Sequence, residues 1–183
     1  MSDVHSFLLC AVGVTLFAAA IDLRTGHIPN WLTLGTLTSA LLTRAILGGW
    51  RAHSIAGALQ SMGLSALGAF VCALLPLVLY RAMGLGGGDV KLFAAIGALT
   101  DALVGLHAQT YAFVCGGLWA VAVLAWHRRL RATAVNVLTL FTSTIHSSDV
   151  RPPVAVHQRT EIRFGPAIFV GTLLAVRTCW SWS

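Results

Sequence analysis

The sequence predicts an all-α, polytopic membrane protein of about six transmembrane helices. The chain of 183 residues is 57% hydrophobic but only 10% charged, whereas a soluble domain of this length carries about a quarter charged residues. Its apolar runs approach the roughly 20 residues that carry a helix across a bilayer. Its basic residues sit between those runs, as topology signals do, rather than along one face. The net charge of +6 therefore does not point to nucleic acid.

Candidate spans lie at roughly 4–23, 30–48, 54–80, 90–107, 109–127 and 165–181. The first run, Val4 to Ile21, is read as a retained span rather than a signal peptide. The preceding "MSD" has no Lys or Arg, and "IDLRTGHIPN" is a poor cleavage site. The third span is long for one crossing and contains Pro76, so it is expected to tilt, kink or project. Gly57, Ser61, Ser65, Ala69 and Ala73 recur every four residues along it, a stripe that lets helix backbones approach closely in lipid. Asp101 interrupts the fourth span. If that helix crosses, Lys91 and Asp101 lie about 15 Å apart along its axis, which brings Asp101 to the opposite interface. A re-entrant segment is the alternative and changes the topology.

With six crossings, Arg24, Arg81, Lys91, Arg128, Arg129, Arg131, Arg151, Arg159 and Arg163 fall on one side, and Arg44, Arg51 and Arg177 on the other. The excess assigns the first side to the cytoplasm and places both termini outside. Residues 130–147 read as an interfacial amphipathic helix, followed by a turn-rich loop. The tryptophans, Trp31, Trp50, Trp126, Trp180 and Trp182 among them, sit mostly near span ends, as an aromatic belt does. Cys10, Cys72, Cys115 and Cys179 are widely spaced in or beside apolar runs and read as packing residues; no CxxC or Cys/His cluster has zinc-ligand spacing. No metal or other cofactor is expected.

The acids carry the functional signal. Of the six, Asp3 is terminal, and Asp149 and Glu161 lie in the long loop. Asp22 closes the first span and Asp89 opens the fourth, both at the cytoplasmic boundary, while Asp101 lies toward the far side. Two carboxylates at one depth can meet inside a bundle and share a proton, one acting as base toward water while the other polarises a carbonyl. The alternative is that each pairs with a nearby base, Arg24 or Lys91, and anchors its helix. Gly84, Gly86, Gly87 and Gly88 permit unusual backbone and close approach of a substrate. They form neither a P-loop nor a GxGxxG motif. His27 reads as a turn residue rather than a metal ligand. Pro29 and Asn30 read as a helix start, with Asn30 favoured as a cap.

"GGGD", Gly86 to Asp89, followed by Val90 and Lys91, resembles the GxGD signature of type IV prepilin peptidases, which are polytopic membrane aspartic proteases. "AIDLRTGHIPNWLT", Ala20 to Thr33, resembles that family's first motif, and "RFGPAIFVG", Arg163 to Gly171, its last-helix motif around Gly165 and Pro166. The resemblance implies a GxGD-protease-like bundle with Asp22 and Asp89 as the catalytic pair. It implies cleavage of the short basic leader from type IV prepilins or pseudopilins at the cytoplasmic face of the inner membrane. Gly86, Gly87, Gly88, Lys91, Pro29, Asn30, Gly165 and Pro166 are the matching supporting positions. Bifunctional members carry an N-terminal methyltransferase domain with paired CxxC motifs. This chain begins directly with its first span and resembles the short, peptidase-only form often associated with Flp or Tad-type pili. The expectation is one transmembrane peptidase domain over 1–183, with a cytoplasmic loop at about 128–163. A small proton- or cation-coupled transporter component and a non-catalytic pilus or secretion assembly subunit are the competing readings.

Overall fold

The computed structural model describes residues 2–83, 85–126 and 164–180. Among them are six helices and no strands: α1 (Ser2–Thr25), α2 (Asn30–Ala52), α3 (Ile55–Met83), α4 (Gly87–Thr100), α5 (Ala102–Trp126) and α6 (Gly165–Trp180). The chain divides into two compact units, residues 1–115 with 163–183 and residues 116–162. Of the second, the described residues are the last turns of α5. The expected amphipathic segment at 130–147 and the loop acids Asp149 and Glu161 lie outside the described residues.

Local chemistry sets the helix ends. At the end of α1, Gly26 adopts φ 72° and donates its N–H to the Asp22 carbonyl at 2.9 Å. A glycine takes this left-handed step without steric cost, so the chain turns sharply into α2. Pro29 occupies the N-cap of α2 in an extended conformation, and no side chain caps that helix. The Ser54 hydroxyl accepts the Gly57 N–H at 3.1 Å and caps α3. Pro76 lies buried within α3, which continues through it as one 29-residue helix.

α1, α2, α3 and α5 are long and apolar enough to cross a membrane. Many of their large side chains face outward, Leu16, Leu42, Phe70 and Leu118 among them, as lipid-facing residues do. The protein is therefore an all-α polytopic membrane protein. The fourth expected span ends earlier than its hydropathy suggests. α4 stops at Thr100 after 14 residues, about 21 Å, which is short of the roughly 30 Å hydrocarbon core. Asp101 breaks the chain at φ 99°, and α5 starts one residue later.

α4 is nonetheless the centre of the first unit, with α1, α2 and α3 packed against it. Leu92, Phe93 and Ile96 join Ala18, Leu32, Ala108, Ala112, Ile168 and Ala175 in one buried cluster. Ser65 of the small-residue stripe and Gly68 beside that stripe bring α3 close to α4, whereas Gly57 and Ser61 of the stripe meet Gly48 of α2. Ser65 Oγ donates to the Ala98 carbonyl at 2.7 Å, and Gly68 lies so close to Gly97 that a side chain on either would strike the other's carbonyl. In lipid, such backbone contact and hydrogen bonding hold helices together.

Arg44 fastens the end of α4 to α2. It pairs with Asp101 at 3.2 Å, donates to the Leu99 carbonyl at 2.7 Å, and lies 4.5 Å from the Phe7 ring centroid. One side chain thus satisfies an end-of-helix carbonyl and the carboxylate beyond it.

Candidate active site at the opposite end of the bundle

Asp22 lies near the end of α1, and Asp89 is the third residue of α4. Both are buried, at 6% and 9% exposure. A carboxylate is rarely buried in a helical bundle without a function or a partner. Asp22 is near enough for its charge to act on Asp89. Neither Arg24 nor Lys91 lies within ion-pairing distance of these acids among the described residues. The pairing with Arg24 or Lys91 that the alternative reading expects is thus not seen among the described residues.

Each carboxylate is held by backbone. Asp22 Oδ2 accepts the Gly165 N–H at 2.9 Å, a buried hydrogen bond between residues 143 positions apart. Gly165 opens α6, so this bond satisfies an N–H that the helix leaves free and sets a carboxylate at its positive end. Gly165 also has no room for a side chain, because a Cβ there would lie 2.7 Å from Asp22 Oδ2. Asp89 occupies the corresponding favourable place in the first turn of α4, where the Gly86 amide offers its carboxylate a backbone hydrogen bond.

The glycines before Asp89 are not equivalent. A Cβ on Gly88 would lie 3.0 Å from Ile28 Cβ and 3.2 Å from the Ile28 carbonyl oxygen; one on Gly86 would lie 2.8 Å from Asp89 Oδ2. A Cβ on Gly87 would meet nothing nearer than Tyr80 Cε2 at 3.6 Å, an ordinary contact. The α1–α2 turn therefore rests on the backbone of the α4 entry, and Ile28, buried in the main cluster, ties the two acid-bearing segments together. The variable second position of a GxGD pattern coincides with the one sterically open glycine.

Lys91 and Asn30 also come together: Lys91 Nζ donates to Asn30 Oδ1 at 2.7 Å in an exposed hydrogen bond. This revises one expectation: Asn30 is the first residue of α2 rather than its cap, and its side-chain oxygen is engaged by Lys91. The bond links the starts of α2 and α4 beside the acids. Pro29 is the α2 cap, and Pro166 follows Gly165 in the first turn of α6, where a missing N–H costs nothing. Asp101 does not join this group.

Sequence reasoning missed an aromatic cluster beside Gly165. Phe93, Phe113 and Phe164 form a ring cluster, with centroids 5.7 Å apart for Phe93–Phe113, 6.5 Å for Phe93–Phe164 and 5.5 Å for Phe113–Phe164. Phe164 immediately precedes Gly165, so the cluster packs α4 and α5 against the residue that leads into the Asp22 contact. Its members lie on three separate segments, and no local pattern connects them.

The fold and site define a helical membrane protein in which two buried carboxylates, from different helices, face one another's charge at one end of a bundle. The profile of the type IV leader peptidase family matches residues 9–121, more than half of the chain, and the chain belongs to that family. It is thus a membrane protein of a peptidase family. The matched segment holds Asp22, Asn30, Asp89 and Lys91, whereas Gly165 lies beyond it and is brought to the site by the fold. Comparison with curated proteins and with solved structures finds no match.

Proposed function

We propose that the protein is an aspartic endopeptidase that removes the short basic leader of type IV pilin-like precursors, with Asp22 and Asp89 activating the hydrolytic water. The observation that carries this reading is the convergence of three distant segments on two buried acids: Asp22 at the end of α1, Asp89 at the start of α4, and the Gly165 amide opening α6. An anchoring role would leave the acids paired with bases at the surface; here both are buried, and the charge of Asp22 acts on Asp89.

Two such carboxylates share one proton. The ionised member takes a proton from water as the water oxygen attacks the scissile carbonyl, and the protonated member donates to the carbonyl oxygen. The resulting gem-diol collapses as the peptide nitrogen accepts a proton and the C–N bond breaks. Gly165 holds Asp22 Oδ2 and leaves Oδ1 available for this exchange. Gly86 and Gly87 leave exposed backbone bare beside Asp89, which suits a substrate bound in extended form.

The substrate is read as a type IV prepilin or pseudopilin, cleaved just before its hydrophobic helix at the cytoplasmic face of the inner membrane. The excess of Lys and Arg in connections on the Asp22–Asp89 side supports that orientation. A basic leader finds no acidic surface in this sequence, so recognition is assigned to the hydrophobic stem and the backbone at the cut site. Mass spectrometry of a co-expressed prepilin tests the proposal. Wild-type protein trims the leader, and Asp22→Asn or Asp89→Asn leaves it whole while still inserting in the membrane. A leader left uncut by correctly inserted wild-type protein, across several prepilins, would sink the reading.

A further inference from the structure

Gln109 is 1% exposed in α5, and neither its Nε2 nor its Oε1 finds a hydrogen-bond partner among the described residues. Ala108 next to it and Ala112 one turn on belong to the buried cluster that includes Ala18, Ile168 and Ala175. A carboxamide in such a place carries a large desolvation cost unless something bonds it. In a membrane helix there is no bulk water to do so.

Two further buried polar side chains lie at the same level. The Asp22–Gly165 bond fixes the antiparallel register of α1 and α6. Thr15 stands seven residues before Asp22 and Thr172 seven after Gly165, so each lies about 10 Å beneath the acids. The register of α5 is fixed by Gly171, where a Cβ would lie 2.5 Å from both the Ala108 carbonyl oxygen and the Ala112 nitrogen. Gln109 is therefore level with Thr172. The helical neighbours of all three residues (Ala18 above Thr15, Ala112 beside Gln109, Ile168 and Ala175 around Thr172) meet in one cluster. Thr15 and Thr172 are 0% and 1% exposed.

The donor count selects the ligand. Thr15 Oγ1 already gives its hydrogen to backbone carbonyls of its own helix, at 2.9 Å to Ala11 and 3.0 Å to Val12, and Thr172 Oγ1 gives its hydrogen to Ile168 at 2.8 Å. Both hydroxyls are left as acceptors only. Gln109 adds two amide hydrogens and one carbonyl oxygen. A ligand must both accept from Nε2 and donate to the hydroxyls, which a metal cation cannot do and a water molecule can. We propose that Gln109, Thr15 and Thr172 form an internal water site in the core of the bundle, beneath the paired acids. Water molecules there accept from Gln109 Nε2 and donate to Gln109 Oε1 and the threonine oxygens, joining α1, α5 and α6 through one polar layer. The inference stands on burial and register and does not depend on the protease reading.

The test is water-to-amide magnetisation transfer by NMR on the full chain, with side-chain nitrogens of Asn and Gln labelled. Gln109→Met identifies the Gln109 signal by its loss, and the exposed Asn30 amide is the positive control. The expected result is a water cross-peak at the Gln109 side chain that is lost in Thr172→Val with the Gln109 signal itself retained. A Gln109 signal with no water transfer, or transfer unchanged in both Thr172→Val and Thr15→Val, would overturn the site. Should Gln109→Met not fold, Gln60→Ala and Gln158→Ala in samples labelled at glutamine alone identify the other two glutamine signals by their loss, which leaves that of Gln109, and the same two readings apply. Leader cleavage is measured in parallel; its loss or retention bears on the acids and not on this site.

Discussion

Replacing Gly165 by alanine tests the site at the contact that most depends on tertiary structure. The new methyl would lie 2.7 Å from Asp22 Oδ2, 2.8 Å from its Cβ and 3.1 Å from its Cγ, where ordinary contact begins at 3.4 Å. Overpacking of this kind costs about 1–3 kcal/mol, and a hydrogen bond to a charged group contributes about 1.5–3 kcal/mol. The chain relieves the clash by moving Asp22 or the start of α6, and either movement separates the carboxylate from its amide. A displacement near 1 Å at a reacting group lowers rates on the order of 100-fold. Purified Gly165→Ala should therefore lose about that factor in kcat for leader cleavage, with KM little changed. Thermal unfolding run beside it shows whether the variant remains folded. A folded Gly165→Ala enzyme with wild-type kcat would refute the role assigned to the Asp22–Gly165 contact.

The remaining glycines divide in the same way: Gly88→Ala should impair cleavage through its clash with Ile28, whereas Gly87→Ala, with only Tyr80 at 3.6 Å, should retain it, as initial rates on one prepilin will reveal. Lys91→Met and Asn30→Ala should each slow cleavage several-fold with little loss of stability, because the bond they share is exposed. Their double variant should be no slower than either single one, and additive losses in that double-mutant cycle would disprove the coupling. Arg44→Leu should lower stability by about 1 kcal/mol, the modest value reflecting the exposure of Asp101, and should lower the melting temperature more than Asp101→Asn does, since the Leu99 carbonyl also loses its donor.

The layout of the site is partly legible in the amino-acid sequence. Asp22 and Asp89 stand out because acids are few and these two fall at matching ends of apolar runs, which places them at one depth. The small-residue stripe of α3 is visible as a four-residue repeat, and Ser65 and Ala69 of that stripe do face α4. The Gly165 contact is not visible in this way, since 143 residues separate it from Asp22 and nothing local marks an amide that caps a distant carboxylate. The interruption at Asp101 is legible, but not that the helix ends there, because hydropathy stays high through Leu103, Val104 and Leu106. What ends α4 is the grip of Arg44, a basic residue inside another apolar helix. Asn30 illustrates competition between local and tertiary demands: its type suggests a cap, but Lys91 takes the oxygen that a cap would use. Gln109 carries no pattern, and only its burial and register with Thr15 and Thr172 give it meaning.

The most direct test of the central claim is cleavage of a purified prepilin by the purified single variants and by their mixture. Asp22→Asn and Asp89→Asn, each folded and reconstituted, should both be inactive. The two acids belong to one chain and one bundle, so co-reconstituting the variants should restore nothing. Measurable cleavage by either single variant would contradict the assignment of the acids, and activity recovered on mixing would contradict their pairing within one chain.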